Sequence, residues 1–145
     1  MAANQSRGIR NNNPGNIDYN PENNWKGQLS FDSVLEKRFC RFQSAEYGIR
    51  ALMSLLGTYQ RKYKLRTVAA LINRWAPTNE NNTSAYVNGV AKDLGVSPVQ
   101  EISVSDKKTA IALAKAIVRH EYPDETFEKA FIQLRILLDF TISHY

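Results

Sequence analysis

Of the 14 carboxylates in this 145-residue chain, Glu121 has the placement best suited to chemistry. Steps of four and seven residues put it on the same helical face as Ile117, Ala114 and Ala110, an apolar and therefore inward face. Pro123 disfavours helix beyond Tyr122, so Glu121 falls in the last turn, at the negative end of the helix dipole. Burial and that dipole both disfavour the carboxylate form and predict a raised pKa. A carboxylic acid so held suits proton donation to a glycosidic oxygen. Rotation toward solvent, or pairing with Arg119 or Lys115, would equally satisfy the side chain. Glu46 reads differently, as a stabilising charge in a first helical turn. Glu80 lies in a polar run, Pro77 to Thr83, between Trp75 and Tyr86. Solvation explains that run, but amides and hydroxyls beside aromatic faces could also hold a sugar. Core packing is the simpler role for Trp75 and Tyr86.

Five helices are expected to position these groups. Ser44 caps the first, with Ala45, Ile49, Leu52, Met53, Leu56 and Tyr59 inward. Thr67 caps the second, carrying Val68, Leu71, Ile72 and Trp75, and Ala76-Pro77 stops it. Thr83 is expected to cap the third, with Tyr86, Val87, Val90, Ala91 and Leu94 inward and Gly95 just past its end. Ser105 or Asp106 opens the fourth, and a fifth runs from about Asp124 through Phe127, Ala130, Phe131, Leu134, Leu137 and Leu138. Upstream, eight of the 13 asparagines fall within the first 24 residues, which favours turns over regular structure. Ile9, Ile17, Tyr19 and Trp25 would pin that loop to a core, and weak alternation from Gln28 to Phe42 suggests a short hairpin. The fold expected is mainly α, with a small irregular or β part. It is one domain: residues 1–43 form the loop and hairpin, 44–122 the helical core and 124–145 a C-terminal helix.

Composition narrows the chemistry further. Cys40 is the lone cysteine, flanked by Phe39 and Phe42, so it reads as a buried thiol. His120 and His144 have no metal-ligand spacing, and neither metal nor cofactor is expected. No Gly-rich phosphate loop or nucleophile elbow occurs, which leaves carboxylate-assisted cleavage as the chemistry the residues suggest. No run of apolar residues reaches membrane-spanning length and no signal peptide is readable, so another agent would deliver the protein to an envelope. The net charge of +5 permits anionic partners. The densest basic cluster, Arg61, Lys62, Lys64 and Arg66, is accounted for as cations at a helix C-terminus, which does not argue for nucleic acid.

Several segments carry a resemblance. Arg7 to Ile17 (RGIRNNNPGNI), Phe42 to Ala51 (FQSAEYGIRA), Ile72 to Pro77 (INRWAP) and Asn79 to Val87 look like a family of small bacteriophage virion structural proteins. A more distant similarity is to the lysozyme superfamily. Asn12-Asn13-Pro14-Gly15-Asn16-Ile17, followed by Phe42-Gln43-Ser44-Ala45-Glu46, resembles the early loop and helix entry of autolysin-type glucosaminidases. Thr83-Ser84-Ala85-Tyr86-Val87 resembles the Thr-x-x-Tyr-Val segment of lytic transglycosylases, with Asn82 in place of their Glu. Ala112 to Glu121 is similar to the helix that ends in their catalytic Glu, here at the other end of the chain and followed by Tyr122-Pro123. A circular permutation would reconcile the order.

The resemblance implies Glu121 as the acid and Tyr86 as the residue that orients it or binds substrate. Asn12, Asn13, Asn16, Glu80 and Thr83 would line a sugar groove, with Asp18 or Asp32 as a second carboxylate. The expected activity is that of a phage- or prophage-derived muramidase or lytic transglycosylase acting on bacterial peptidoglycan. The alternative is a non-enzymatic virion structural or wall-binding protein on the same scaffold, in contact with other virion proteins. It would reside in a phage virion or the bacterial cytoplasm and act in the envelope after delivery.

Overall fold

A computed structural model describes residues 7–76, 80–123 and 126–134, with side chains omitted for 80–82. The described chain is mainly helical. Its longer helices are α1 (Ala45–Tyr63), α2 (Val68–Trp75), α3 (Glu80–Leu94) and α4 (Lys107–Glu121). Residues 7–10 form one helical turn and 128–134 are helical. The remainder of the expected fifth helix, with Leu137 and Leu138, lies outside the described residues.

Local capping chemistry sets most of these ends. Thr67 accepts a hydrogen bond from the Ala70 amide and opens α2, and Ala76 closes it through its N–H to the Ile72 carbonyl. Asp106, not Ser105, opens α4: its carboxylate accepts from both the amide and the hydroxyl of Thr109. Those bonds hold its pKa below the usual value. Gly95 takes φ 72° past α3, where the Val96 amide bonds back to the Ala91 carbonyl. One expected cap is corrected. α3 begins at Glu80, so Thr83 sits inside the first turn, and its hydroxyl donates to the Ala76 carbonyl at 3.4 Å. An acidic residue in the first turn favours a helix that starts there.

The chain divides into two compact units, with boundaries inside α1 and inside the end of α4. The helical unit, Met53–His120, holds α2, α3 and most of α4. Val68, Leu71, Ile72, Val90, Leu113 and Ile117 are each no more than 1% exposed and form its core. The loop-rich unit comprises Met1–Leu52 and Glu121–Tyr145. Here the hairpin expected from Gln28 to Phe42 is not a pair of strands. Instead, residues 38–43 are flanked by two short partners, with isolated antiparallel bridges Asp18↔Phe39 and Gln28↔Phe42. Amides of Tyr19 and Leu29 donate to the carbonyls of Arg38 and Arg41. Phe39, Cys40 and Phe42 are buried in this ladder. Burial, chiefly, pushes the Cys40 thiol up to about 11, so it remains a thiol.

Candidate functional site

In the loop-rich unit the asparagine run is a built structure rather than a slack tail. Amides of Asn11, Asn12 and Asn13 bond back to the carbonyls of Arg7, Ile9 and Gly8. Asn12 and Asn16 take φ values of 53° and 46°, the left-handed region that Asn tolerates better than most residues. Asn13 is fully buried, and its amide is spent on backbone: it donates to the Ile17 and Cys40 carbonyls and accepts from the Ile17 amide. Asn12 donates to the Phe42 carbonyl at 3.1 Å. These two side chains therefore bind the loop to residues 40–42. Asn16 is half-buried.

At the centre of this unit stands a carboxylate that the sequence did not single out. Glu36 is 2% exposed. It accepts bonds from the Arg7 guanidinium, the Asn11 side chain at 3.0 Å and the amides of Arg38 and Phe39 at 2.8 and 2.9 Å, and Arg10 lies 3.5 Å away. The Arg7 guanidinium, above all, holds its carboxyl far below the usual carboxylate range, with the amides and Asn11 adding to the effect against the cost of burial. A group so firmly ionised has no proton to give, which makes Glu36 a fastening rather than a general acid. Its donors come from residues 7–11 and 38–39, a non-local pattern, so sequence spacing offers no signal for it.

Glu121 is the final residue of α4 and is half-buried. The next residue, Tyr122, is 3% exposed and meets the Phe127 ring edge-on at 4.8 Å. A methyl group at Gly8 would sit 2.0 Å from the Tyr122 hydroxyl, so Tyr122 packs directly against the turn that opens the asparagine loop. Burial, and secondarily the Glu121 charge, raise the Tyr122 phenol to about 12, so it stays protonated. The candidate second carboxylates have local partners: Asp18 pairs with Arg38 at 2.7 Å, and Asp32 accepts from the Val34 amide. Both are exposed.

The remaining candidates lie in the helical unit. Tyr86 is 5% exposed, its hydroxyl reaches the Ile117 carbonyl at 3.5 Å, and its ring stacks on the exposed imidazole of His120 with centroids 3.7 Å apart. His120 is a further residue that sequence spacing missed. Thr83 lines a cavity of about 370 Å³ together with Asn73, Ser84 and Asn88, closed by Val87 and Pro98. Among the described residues its lining is uncharged, with hydroxyls and amides opposite aliphatic surface. The Glu80 side chain lies outside the described residues.

No family model matches the chain. Over 100 residues it is 39% identical to Protein P5 of Pseudoalteromonas phage PM2. The chain is similar to a phage protein. That match covers 68% of this chain and 61% of Protein P5, so the chain spans about three-fifths of the length of this relative. Among the described residues, no helix is long and apolar enough to cross a membrane.

Proposed function

We propose that the chain is a phage- or prophage-derived virion protein that binds bacterial cell-wall glycan through a lysozyme-like scaffold. The cavity around Thr83, Ser84 and Asn88 carries this reading, because the hydroxyl and amide groups of its described lining and its aliphatic wall suit an N-acetylated sugar. The likeness to a phage protein supplies the context. Sedimentation with purified peptidoglycan tests it. The protein should pellet with the wall at both low and high salt, and Ser84→Ala/Asn88→Ala should pellet less. Failure to pellet, or equal pelleting of the variant, would sink the reading.

A second reading, glycan cleavage, is favoured by one contact. Tyr122 packs on Gly8, which joins the end of α4 to the asparagine loop within one unit. In that reading Glu121 gives its proton to the leaving glycosidic oxygen and takes one back from the sugar's own C6 hydroxyl as that oxygen closes on C1, so one carboxylate serves both steps where hydrolysis would use two. Muropeptide release by the parent and its loss in Glu121→Gln would support cleavage. An inert parent that still binds wall would leave the binding role alone.

A further inference from the structure

A basic hollow in the helical unit has no part in either reading above. It is a cavity of about 550 Å³ where α1 ends, walled by Gln60, Arg61, Lys64 and Arg66 on one side and by Glu101 and Ser103 on the other. Cations at a helix C-terminus are stabilised by the dipole, which accounts for Arg61 but not for Arg66, beyond the helix. Among the described residues, none of Arg61, Lys64 and Arg66 is ion-paired with a carboxylate. The hollow is also firmly built. The Gln60 amide donates to the carbonyls of Leu65 and Ile102 at 3.1 and 3.0 Å and accepts from the Val104 amide at 2.8 Å. Ile102 donates to the Arg66 carbonyl, and Thr67 bridges to Glu101. Both walls are thereby tied through one side chain and a short ladder. Lys64, at φ 55°, occupies the left-handed position after the helix, where glycine is the favoured residue.

We propose that this hollow binds a phosphorylated sugar. Arg and Lys together suit a phosphate group, with Arg supplying directional donors and Lys a compact charge. The volume exceeds what a lone phosphate needs and lies within the range of small-molecule sites, which leaves room for a sugar ring beside the phosphate. Among the described residues no aromatic side chain lines the cavity, so none offers the stacking platform a nucleotide base would use. The inference stands on the helical unit alone and is independent of wall binding or cleavage.

Amide NMR titration of the whole chain with N-acetylglucosamine 1-phosphate tests the proposal, with N-acetylglucosamine, inorganic phosphate and an oligothymidine as parallel arms. The sugar phosphate should shift the amides of 61–66 and 101–103 saturably and more tightly than inorganic phosphate, while the uncharged sugar leaves them unmoved. Lys64→Gly, which relieves the backbone, should fold normally and bind about tenfold more weakly, a difference of about 1.4 kcal/mol. No saturable shift at millimolar ligand, shifts confined to other residues, or unchanged affinity in Lys64→Gly would overturn it. Tighter binding of the oligothymidine at the same amides would overturn the sugar assignment in favour of a nucleic-acid site.

Discussion

The helical unit carries ten Lys and Arg against four Asp and Glu, a net +6, while the loop-rich unit carries nine against ten, a net −1. The whole positive charge of the chain therefore belongs to one unit. The interiors differ in the opposite sense. The core of the helical unit is aliphatic, with cations left on its surface, whereas the loop-rich unit buries an ionised Glu36 and the amides of Asn11 and Asn13. Regular helices satisfy their own backbone and can be packed with any well-shaped apolar side chain. A loop cannot, so it must import donors and acceptors from side chains, and those must fit individually.

The sharpest way to break this contrast uses two helical glycines. A methyl group at Gly48 would lie 2.0 Å from the Asn12 carbonyl oxygen, a backbone atom held by the asparagine loop. Gly48→Ala should cost about 4 kcal/mol, above the usual range for overpacking, because the obstruction cannot rotate away. Chemical denaturation would measure it, and a loss near zero would mean the loop yields as freely as a surface turn.

Glu36→Gln comes next, at about 3 kcal/mol, since it leaves the half-buried Arg7 guanidinium and the buried Asn11 and Phe39 donors facing a neutral group. Its pH dependence has a definite sign. A carboxyl with a depressed native pKa contributes stability that is fully present above its unfolded value near 4.5 and is lost as pH falls below it toward the native value. The gap between parent and variant in urea midpoint should therefore be widest near neutrality and shrink in acid. A pH-independent gap would remove the ionised fastening from the account.

Smaller again is the coupling between Gly8 and Tyr122. Gly8→Ala meets the phenolic oxygen at 2.0 Å and the ring carbon behind it at 3.2 Å. Tyr122→Phe should thus recover about 1–2 kcal/mol of the Gly8→Ala loss, a non-additivity readable in a double-mutant cycle. Additive losses would separate the end of α4 from the asparagine loop and weaken the cleavage reading with it.

The smallest effect has the opposite sign and lies in the helical unit. A methyl at Gly89 meets nothing within 4 Å, so Gly89→Ala should stabilise by about 1 kcal/mol through helix propensity alone. Destabilisation there would show that α3 is as tightly constrained as the loop.

The same contrast explains what could be read from sequence. Thr67, Asp106 and Gly95 were legible because each acts on residues one turn away, and the mainly helical fold followed from the apolar spacing between such ends. The buried faces were equally plain: Ile49, Leu52 and Leu56 are all no more than 1% exposed. The start of α3 was misplaced by four residues because Asn81 and Asn82 carry loop preferences that the helix overrides. Residues 38–43 show β pairing on both sides, yet alternation pointed only to the 28–42 partner, since Asp18 and Tyr19 lie across an irregular stretch. Glu36 could not be found, as its five donor groups lie both before and after it in the chain. Arg61, Lys64 and Arg66 were visible as a cluster, but the opposite wall at Glu101 and Ser103 was not.

The two left-handed asparagines have a consequence for how this chain can vary. At Asn12 and Asn16 the backbone admits Asn, Gly and, less readily, Asp, and a β-branched residue at either position would be strained whatever space surrounded it. Drift in chains that keep this loop is thus confined to a short alphabet at two sites four residues apart, while the exposed Lys26 nearby carries no such backbone constraint. That spacing is a fingerprint of the loop geometry, and it can sort distant sequences by shape before any activity is known.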